Sequence, residues 1–236
     1  MSISGRRPAS LVLGLHEPGG AAALVRDGRL LAVAAPSGEA GWPTGAVSDA
    51  LRSAGLGPEA VEQVALAVPP GPLAPLRRRR AARRARAALG SGAAFVGRGL
   101  VGTGLPRAFD RSDRVSLHAP ARCLAACAYY TAGARVVLVF AVYEGAVTPF
   151  LGTSGKVVPL ASAEPVASLP AVVARWTESV SADRVRVVGA APPPGAEATP
   201  FDGPTALAVG AAWLGRADER QGAWVPAPWR PGDAGG

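Results

Sequence analysis

The chain has 236 residues, of which 49% are hydrophobic and 18% charged: too apolar for a disordered chain, and long enough for one large or two small cores. Its 30 glycines and 23 prolines follow no collagen period and point to many turns. Of the 25 basic side chains only Lys156 is a lysine, so the net charge of +8 reads first as an arginine-rich composition and only second as a nucleic-acid footprint.

Residues 1–10 are expected to be flexible. Arg6-Arg7 ahead of residues 11–15 faintly resembles a twin-arginine export signal, but His16 and Glu17 break the apolar run, so a cytoplasmic protein is expected. Residues 11–15 read as a buried strand and 21–26 as a second. Asp27-Gly28 between apolar runs is a tight hairpin signal, so the chain opens with a three-stranded meander. A helix follows over 44–54, with Thr44 as its N-cap and Gly55 past its end. Residues 64–68 are a short strand and 69–75 a loop.

Residues 76–89 form an alanine- and arginine-rich helix. Arg77, Arg80, Arg83, Arg84 and Arg86 sit at helical spacings and mark a surface for a partner or an anion. Nucleic acid ranks behind a protein or substrate anion there, because no aromatic residues are interleaved for stacking. A strand over 114–117 and a helix over 120–130 follow. Cys123 and Cys127 fall on one face of that helix and read as small buried residues, since a zinc site needs more ligands.

The opening pattern then returns. Residues 135–142, 146–151 and 156–161 are three strands joined by Glu144-Gly145 and by a turn at 153–155. The stretch 136–142 is the longest strongly apolar run, far short of the roughly 20 residues that span a bilayer, so no membrane helix is expected. A helix over 166–180, a strand over 184–188, a proline-rich loop over 190–199 and a helix over 205–214 complete the pattern. Residues 216–236 form an irregular tail rich in proline and tryptophan.

The element order is strand-strand-strand-helix-strand-helix, twice. It predicts an α/β fold of the duplicated actin-like, sugar-kinase and heat-shock-protein ATPase kind, trimmed, with one half at 11–132 and the other at 133–215. In that fold the hairpin turns after the first strands face a nucleotide's phosphates, although fold alone does not give an activity.

Three segments in order resemble the O-carbamoyltransferases of antibiotic biosynthesis and nodulation. Residues 13–34 are similar to that family's opening, with its Leu-Gly-Ile, its Asp-Gly turn and its strand ending in alanine; Trp42-Pro43 and residues 54–56 also fit. Residues 117–126, Leu-His-Ala-Pro-Ala-Arg-Cys-Leu-Ala-Ala, stand where the family has His-His-x-x-His-Ala-x-x-Ala. Residues 200–212, from Pro200 through Asp202 and Gly203 to Gly210-Ala211-Ala212, are similar to Pro-x-x-Asp-x-Gly-x-Ala-x-Gly-Ala-Ala. The resemblance implies a carbamoyl adenylate chemistry with ATP at an iron or similar metal. The related threonylcarbamoyl-tRNA enzymes use the same fold, and that system has a short degenerate paralogue as dimer partner of its active subunit.

The chain departs from the motif at its metal ligands. With His118 as the first metal histidine, the second falls on Arg122, and arginine stays protonated. The opening His-Asp-x-Ser falls on Pro18-Gly19-Gly20-Ala21, and the aspartate after the fourth strand is lost near residues 141–145. The Gly-Gly-x-x-x-Asn segment falls near Gly189. Two histidines in the whole chain cannot build a family-like metal site.

The expectation is therefore a degenerate, non-catalytic subunit. It would need no cofactor and would pair with a full-length carbamoyltransferase in a secondary-metabolite pathway. The alternative is a compact enzyme with a rearranged site for ATP and a metal ion. Its candidates are His118 and Asp202 for catalysis, with His16 and Glu17 beside them, and Gly19, Gly20, Gly189, Asp202 and Gly203 for the cofactor. A polyanion-binding module built on the arginine helix is a third class. Each singled-out residue also has a plain structural reading. His16 would cap the glycine-rich turn, His118 would be a lone partly buried imidazole, and Asp202 would N-cap the last helix. Tyr129, Tyr130 and Trp176 would pack, while Trp213, Trp224 and Trp229 suit a contact surface.

Overall fold

The computed structural model describes residues 11–35, 43–68, 72–89, 98–100, 106–108 and 115–216. The expected flexible start, the tail beyond Arg216, Trp42, Trp224 and Trp229 lie outside the described residues.

The first sheet begins as the sequence predicts. Strands β1 (Leu11–His16), β2 (Ala21–Arg26) and β3 (Arg29–Ala34) form an antiparallel meander. At its second turn, φ is 49° at Asp27 and 79° at Gly28. Two successive positive φ values match the twist of the flanking strands and define the tight hairpin. Helix α1 (Thr44–Ser53) leads through a short 3-10 turn to β4 (Gln63–Ala67), which lies parallel to β1. Thr44 is the first residue of α1, not its cap. Pro43 caps α1 with its carbonyl, which accepts from Val47 N–H at 2.9 Å.

Helix α2 (Ala74–Leu89) starts two residues before the expected helix. A small antiparallel pair, β5 (Arg98–Leu100) and β6 (Pro106–Ala108), separates it from β7 (Val115–His118). Strand β7 joins β4 in parallel and completes a five-stranded sheet of order β3-β2-β1-β4-β7.

Helix α3 (Pro120–Tyr130) opens on a proline, whose missing N–H costs nothing in a first turn. The second sheet repeats the first. Strands β8 (Val136–Tyr143), β9 (Ala146–Thr153) and β10 (Lys156–Pro159) make the same meander, with a two-residue strand β11 (Glu164–Pro165) added to β9. Its two turns repeat the positive φ pair of the first sheet, 49° and 77° at Glu144-Gly145, then 51° and 73° at Ser154-Gly155. After a 3-10 turn at Val166–Ser168 come α4 (Leu169–Ser179) and β12 (Arg184–Val188), parallel to β8.

The segment expected to be a proline-rich loop holds a fifth strand, β13 (Glu197–Ala198), which pairs in parallel with β12. Its two residues fall below what a periodic pattern can reveal. The second sheet is thus β10-β9-β8-β12-β13, the same order as the first. This is the duplicated actin-like fold. The path of each main sheet has five strands, the second sheet carrying β11 beside β9 as well, and no helix intervenes between β12 and β13. Helix α5 (Gly203–Arg216) closes the described chain, two residues longer at each end than expected.

The helices exchange between the sheets. α3 packs on β8 and also touches β9, β10 and β12, whereas α5 packs on β1, β2 and β4 and also reaches β7. The two helices lie against each other between the sheets, so one continuous core runs from Val12, Ala23 and Ala65 through α5 and α3 to Val137 and Val139. The alternation along β1 sends Leu11, Leu13 and Leu15 to the opposite face, against α1 and α2. A third cluster joins Leu138, Phe140 and Val187 to Val172 and Val173 of α4. The result is five layers, helix, sheet, helix, sheet, helix.

Two glycines permit the central layer. A Cβ on Gly14 of β1 would stand 2.5 Å from the Ala212 amide nitrogen, and one on Gly210 of α5 would stand 2.5 Å from the Cys123 carbonyl carbon. Backbone therefore touches backbone at both crossings. Trp213 is buried among these contacts, with its ring 5.2 Å from that of Tyr130. Its Nε1–H donates to the Gly28 carbonyl at 3.2 Å, so it ties α5 to the β2–β3 turn and is not the contact-surface residue expected. Tyr130 and Tyr129 pack as expected and also grip the β9–β10 turn: Tyr130 Oη donates to the Gly155 carbonyl, and Gly155 N–H donates to Tyr129 Oη, each at 3.0 Å.

Candidate functional site

Two regions gather the sequence candidates. The first is the β1–β2 turn with the start of α5. Gly20 takes φ 65°, and its N–H donates to the Glu17 carbonyl at 3.2 Å, which closes the turn. A Cβ on Gly19 would stand 2.5 Å from His16 Nδ1 and 2.6 Å from Pro204 Cβ. The inner side of this turn is therefore filled by the chain itself.

Asp202 belongs to the same neighbourhood. Its carboxylate accepts the Thr205 N–H at 2.9 Å and its carbonyl accepts the Ala206 N–H at 2.8 Å, the geometry of an N-cap. The carboxylate thus serves the helix it precedes. Replacing it in Asp202→Ala is expected to cost about 1 kcal/mol. Urea unfolding reads this as a lower midpoint, and Asp202→Ser should restore most of it; an unchanged midpoint would mean the cap carries nothing.

His16 is 8% exposed, and its Nδ1 has no hydrogen-bond partner among the described residues. The expected capping of the turn is therefore not made through Nδ1. The ring instead fills the space under Gly19. Burial holds its pKa below the usual 6.5, because the charged imidazolium loses water there. As pH falls through about 6.5, the unfolded chain takes up the proton first. Stability is fully present above that pH and declines below it. The urea midpoint should drop between pH 7 and pH 5, and the drop should be smaller in His16→Leu. Equal drops in both proteins would exclude His16 as the source.

The remaining candidates are Gly189, Gly203 and His118. Gly189 takes φ 87° just past β12, where a Cβ would meet the carbonyl of Val142 at the end of β8. A Cβ on Gly203 would face open space. His118 ends β7 half-buried, with Nε2 2.9 Å from Ser116 Oγ. Cys123 and Cys127 are buried free thiols, and burial raises both pKa values far above the ordinary range, so neither is a ready thiolate. Among the described residues, no three His, Cys, Asp or Glu side chains stand together as metal ligands would.

The second region is the outer face of α2. Arg77, Arg79, Arg80 and Arg83 are exposed and Arg84 is half-buried, while the Arg86 side chain lies outside the described residues. Arg77, Arg80 and Arg84 line a cleft of about 400 Å³ whose floor is Leu66, Val68 and Leu117, at the C-terminal ends of β4 and β7. Glu17 completes its wall and pairs with Arg84, Oε2 to Nη1, at 3.3 Å. The sequence showed the arginines but not the floor, since only the parallel pairing of β4 with β7 brings those residues together.

Comparison with known proteins gives likenesses of architecture. No family model matches the chain, and no curated protein matches it. Among solved structures, it is similar to YeaZ from Pseudomonas aeruginosa, at 18% identity and a TM-score of 0.48, over 94% of this chain and 100% of that one. It is also similar to an uncharacterized protein from that organism described as similar to peptidase YeaZ, at 20% identity and 0.46, with the same coverage. Component A of the Acidaminococcus fermentans (R)-2-hydroxyglutaryl-CoA dehydratase gives 9% and 0.43, over 87% of this chain and 96% of that one.

The O-carbamoyltransferase resemblance does not hold: no family model and no curated protein supports it, and none of the similar structures named above is described as an O-carbamoyltransferase. The antibiotic-type pathway falls with it. The structure supplies the physical reason for the motif matches. Asp202 caps α5, Gly210 lets α5 cross α3, and the Asp-Gly turn shapes a hairpin. The shared residues are those the fold needs, independent of the chemistry. No helix among the described residues is long and apolar enough to cross a membrane.

Proposed function

We propose that this chain is a non-catalytic subunit that acts in a hetero-oligomer with another protein, and that it carries no resident nucleotide or metal ion of its own. One observation carries the reading: the β1–β2 turn, which in this fold would face a phosphate, is packed against the start of α5, and the neighbouring carboxylate is used as its N-cap. Groups already satisfied inside the fold are poor candidates for chemistry, which needs them free and aimed at a substrate. The choice of partner rests on surface, not on this turn.

Calorimetry of the purified chain with ATP, in the presence of Mg²⁺ or Fe²⁺, tests the reading. No binding and no ATP hydrolysis are expected, together with a raised rate when the chain is mixed with a complete enzyme encoded beside it. Metal-dependent ATP binding that disappears in Gly203→Val would overturn it and favour the second reading, a compact enzyme with a rearranged site. That alternative draws on the open space in front of Gly203 and on His118, half-buried beside Ser116.

A further inference from the structure

The cleft beneath α2 already holds a carboxylate that the chain itself supplies, and we infer that it also takes one from solution: a small organic monocarboxylate with an apolar body. The cleft volume of about 400 Å³ falls within the range of pockets that take small molecules whole. It lies outside the carboxyl ends of two parallel strands, where open α/β sheets commonly hold ligands.

Glu17 shows which head group the cleft accepts. Its Oε2 meets Arg84 Nη1 at 3.3 Å, a long contact for a pair that can make two short parallel bonds. The Glu17 backbone is tied into the β1–β2 turn by the bond from Gly20 N–H to its carbonyl. A carboxylate free to turn in the cleft can align with the guanidinium fork better than one tethered at that turn. Glu17 is thus both the pattern for the ligand head and its competitor.

The charges leave room for one further anion. Arg77 is engaged in an interaction of its own, so its charge does not enter the balance. Of the other charged side chains lining the cleft among the described residues, Arg80 and Arg84 are cations and Glu17 is an anion. The excess is one positive charge, which a monocarboxylate neutralises. Arg80 and Arg84 stand four residues apart and share one face of α2, near enough for one carboxylate to bridge them. The helix supplies no counter-charge of its own, because residues 74–89 contain no acidic side chain. Leu66, Val68, Ala81 and Leu117 give the cleft its apolar floor. An apolar body removes that floor from water, whereas acetate leaves it wet.

Calorimetry with 3-phenylpropionate as the probe tests the inference. It should bind the folded chain about tenfold or more tighter than acetate, which lacks the body, and than 3-phenylpropionamide, which lacks the charge. Arg80→Gln and Arg84→Gln should each weaken binding about tenfold. Glu17→Gln should tighten it, a gain that mere structural damage cannot produce. Arg79→Gln, on the same helix but outside the cleft lining, should leave it unchanged. Circular dichroism checks that each variant is folded. The inference is overturned by no binding at millimolar probe, by equal binding of the amide or of acetate, by equal weakening in Arg79→Gln, or by no gain in Glu17→Gln. An acidic peptide bound at this face while 3-phenylpropionate is not would overturn it too.

Discussion

Gly210→Val should abolish the folded state, or leave a protein that unfolds at much lower urea. At the crossing of α5 and α3, any Cβ on residue 210 meets the carbonyl group of Cys123, with the carbonyl carbon at 2.5 Å and Cys123 Cα at 2.9 Å. Those are backbone atoms of a buried helix, so no rotamer change can make room. The helices must separate, and separation strips contacts from the layer that joins both sheets. Overpacking a core costs typically 1–3 kcal/mol and sometimes more. With backbone as the obstacle, a loss of about 3–5 kcal/mol is expected, comparable with the whole stability of many domains. Gly210→Ala should show the same direction with a smaller loss, although alanine favours a helix by nearly 1 kcal/mol over glycine. Gly203→Ala, in the same helix but facing open space, is the control and should be neutral. If Gly210→Ala unfolds at the parent's urea concentration, the close crossing is not real.

The second large effect is expected at Arg186. It lies in the middle of β12, 7% exposed, and its guanidinium reaches across to the end of α3. Nη1 donates to Thr131 Oγ1 at 2.9 Å and to the Ala128 carbonyl at 3.4 Å, while Nε lies 3.5 Å from Glu197. A cation at a helix C-terminus meets the negative end of the dipole and the last unpaired carbonyls. Burial lowers the Arg186 pKa, and Glu197 counteracts that by favouring the charge. Arg186→Ala removes the hydrogen bonds and leaves a void, so a loss of about 2–4 kcal/mol is expected in urea or thermal unfolding. Arg186→Met keeps the stem and should lose less, since an apolar substitute spares the cost of a buried charge. Glu197→Gln, at an exposed partner, should cost under about 1 kcal/mol. A loss in Glu197→Gln as large as in Arg186→Ala would show that the ion pair, not the helix end, holds the arginine in place.

These two positions also mark what a sequence can and cannot reveal. The meanders were legible because their turns demand particular residues. Asp27-Gly28 and Glu144-Gly145 carry the positive φ pairs that few other dipeptides tolerate. The repeat was legible because each half writes its strands as apolar runs at similar spacing. Gly210 stood out only through the motif it shares with the O-carbamoyltransferases; nothing local says what it meets, and its partner Cys123 is 87 residues away in the chain. Arg186 carries no sequence signal either, since one arginine in a five-residue strand does not say which helix end it meets. Strand β13 has two residues and no periodicity. Trp213 was read with the tail tryptophans, although its place is set by the glycines and alanines around it.

The candidate site was legible in part. The arginine run named one wall of the cleft, but Leu66, Val68 and Leu117 join it only through sheet pairing. The glycine-rich turn was found, whereas its closure by Pro204 depends on a contact no local pattern encodes. The family resemblance misled for a related reason. Residues that cap, turn and pack recur wherever this architecture recurs, so they trace the scaffold and leave the reaction unmarked.

The exchange of α3 and α5 between the sheets bears on how the chain is made. The face of the first sheet bearing Val12, Ala21, Ala23, Val25 and Ala65 is covered by a helix that begins only at Gly203. On a ribosome, that apolar surface stands uncovered until almost the whole described chain has been synthesised, and the last helix must then find strands formed long before it. Folding of the first sheet is thus completed late and over long sequence separations, a slow class of event that exposes sticky intermediates. Fragments ending before residue 203 should be recovered as aggregates or chaperone complexes, and supplying residues 203–216 on a separate peptide should return some of them to solution.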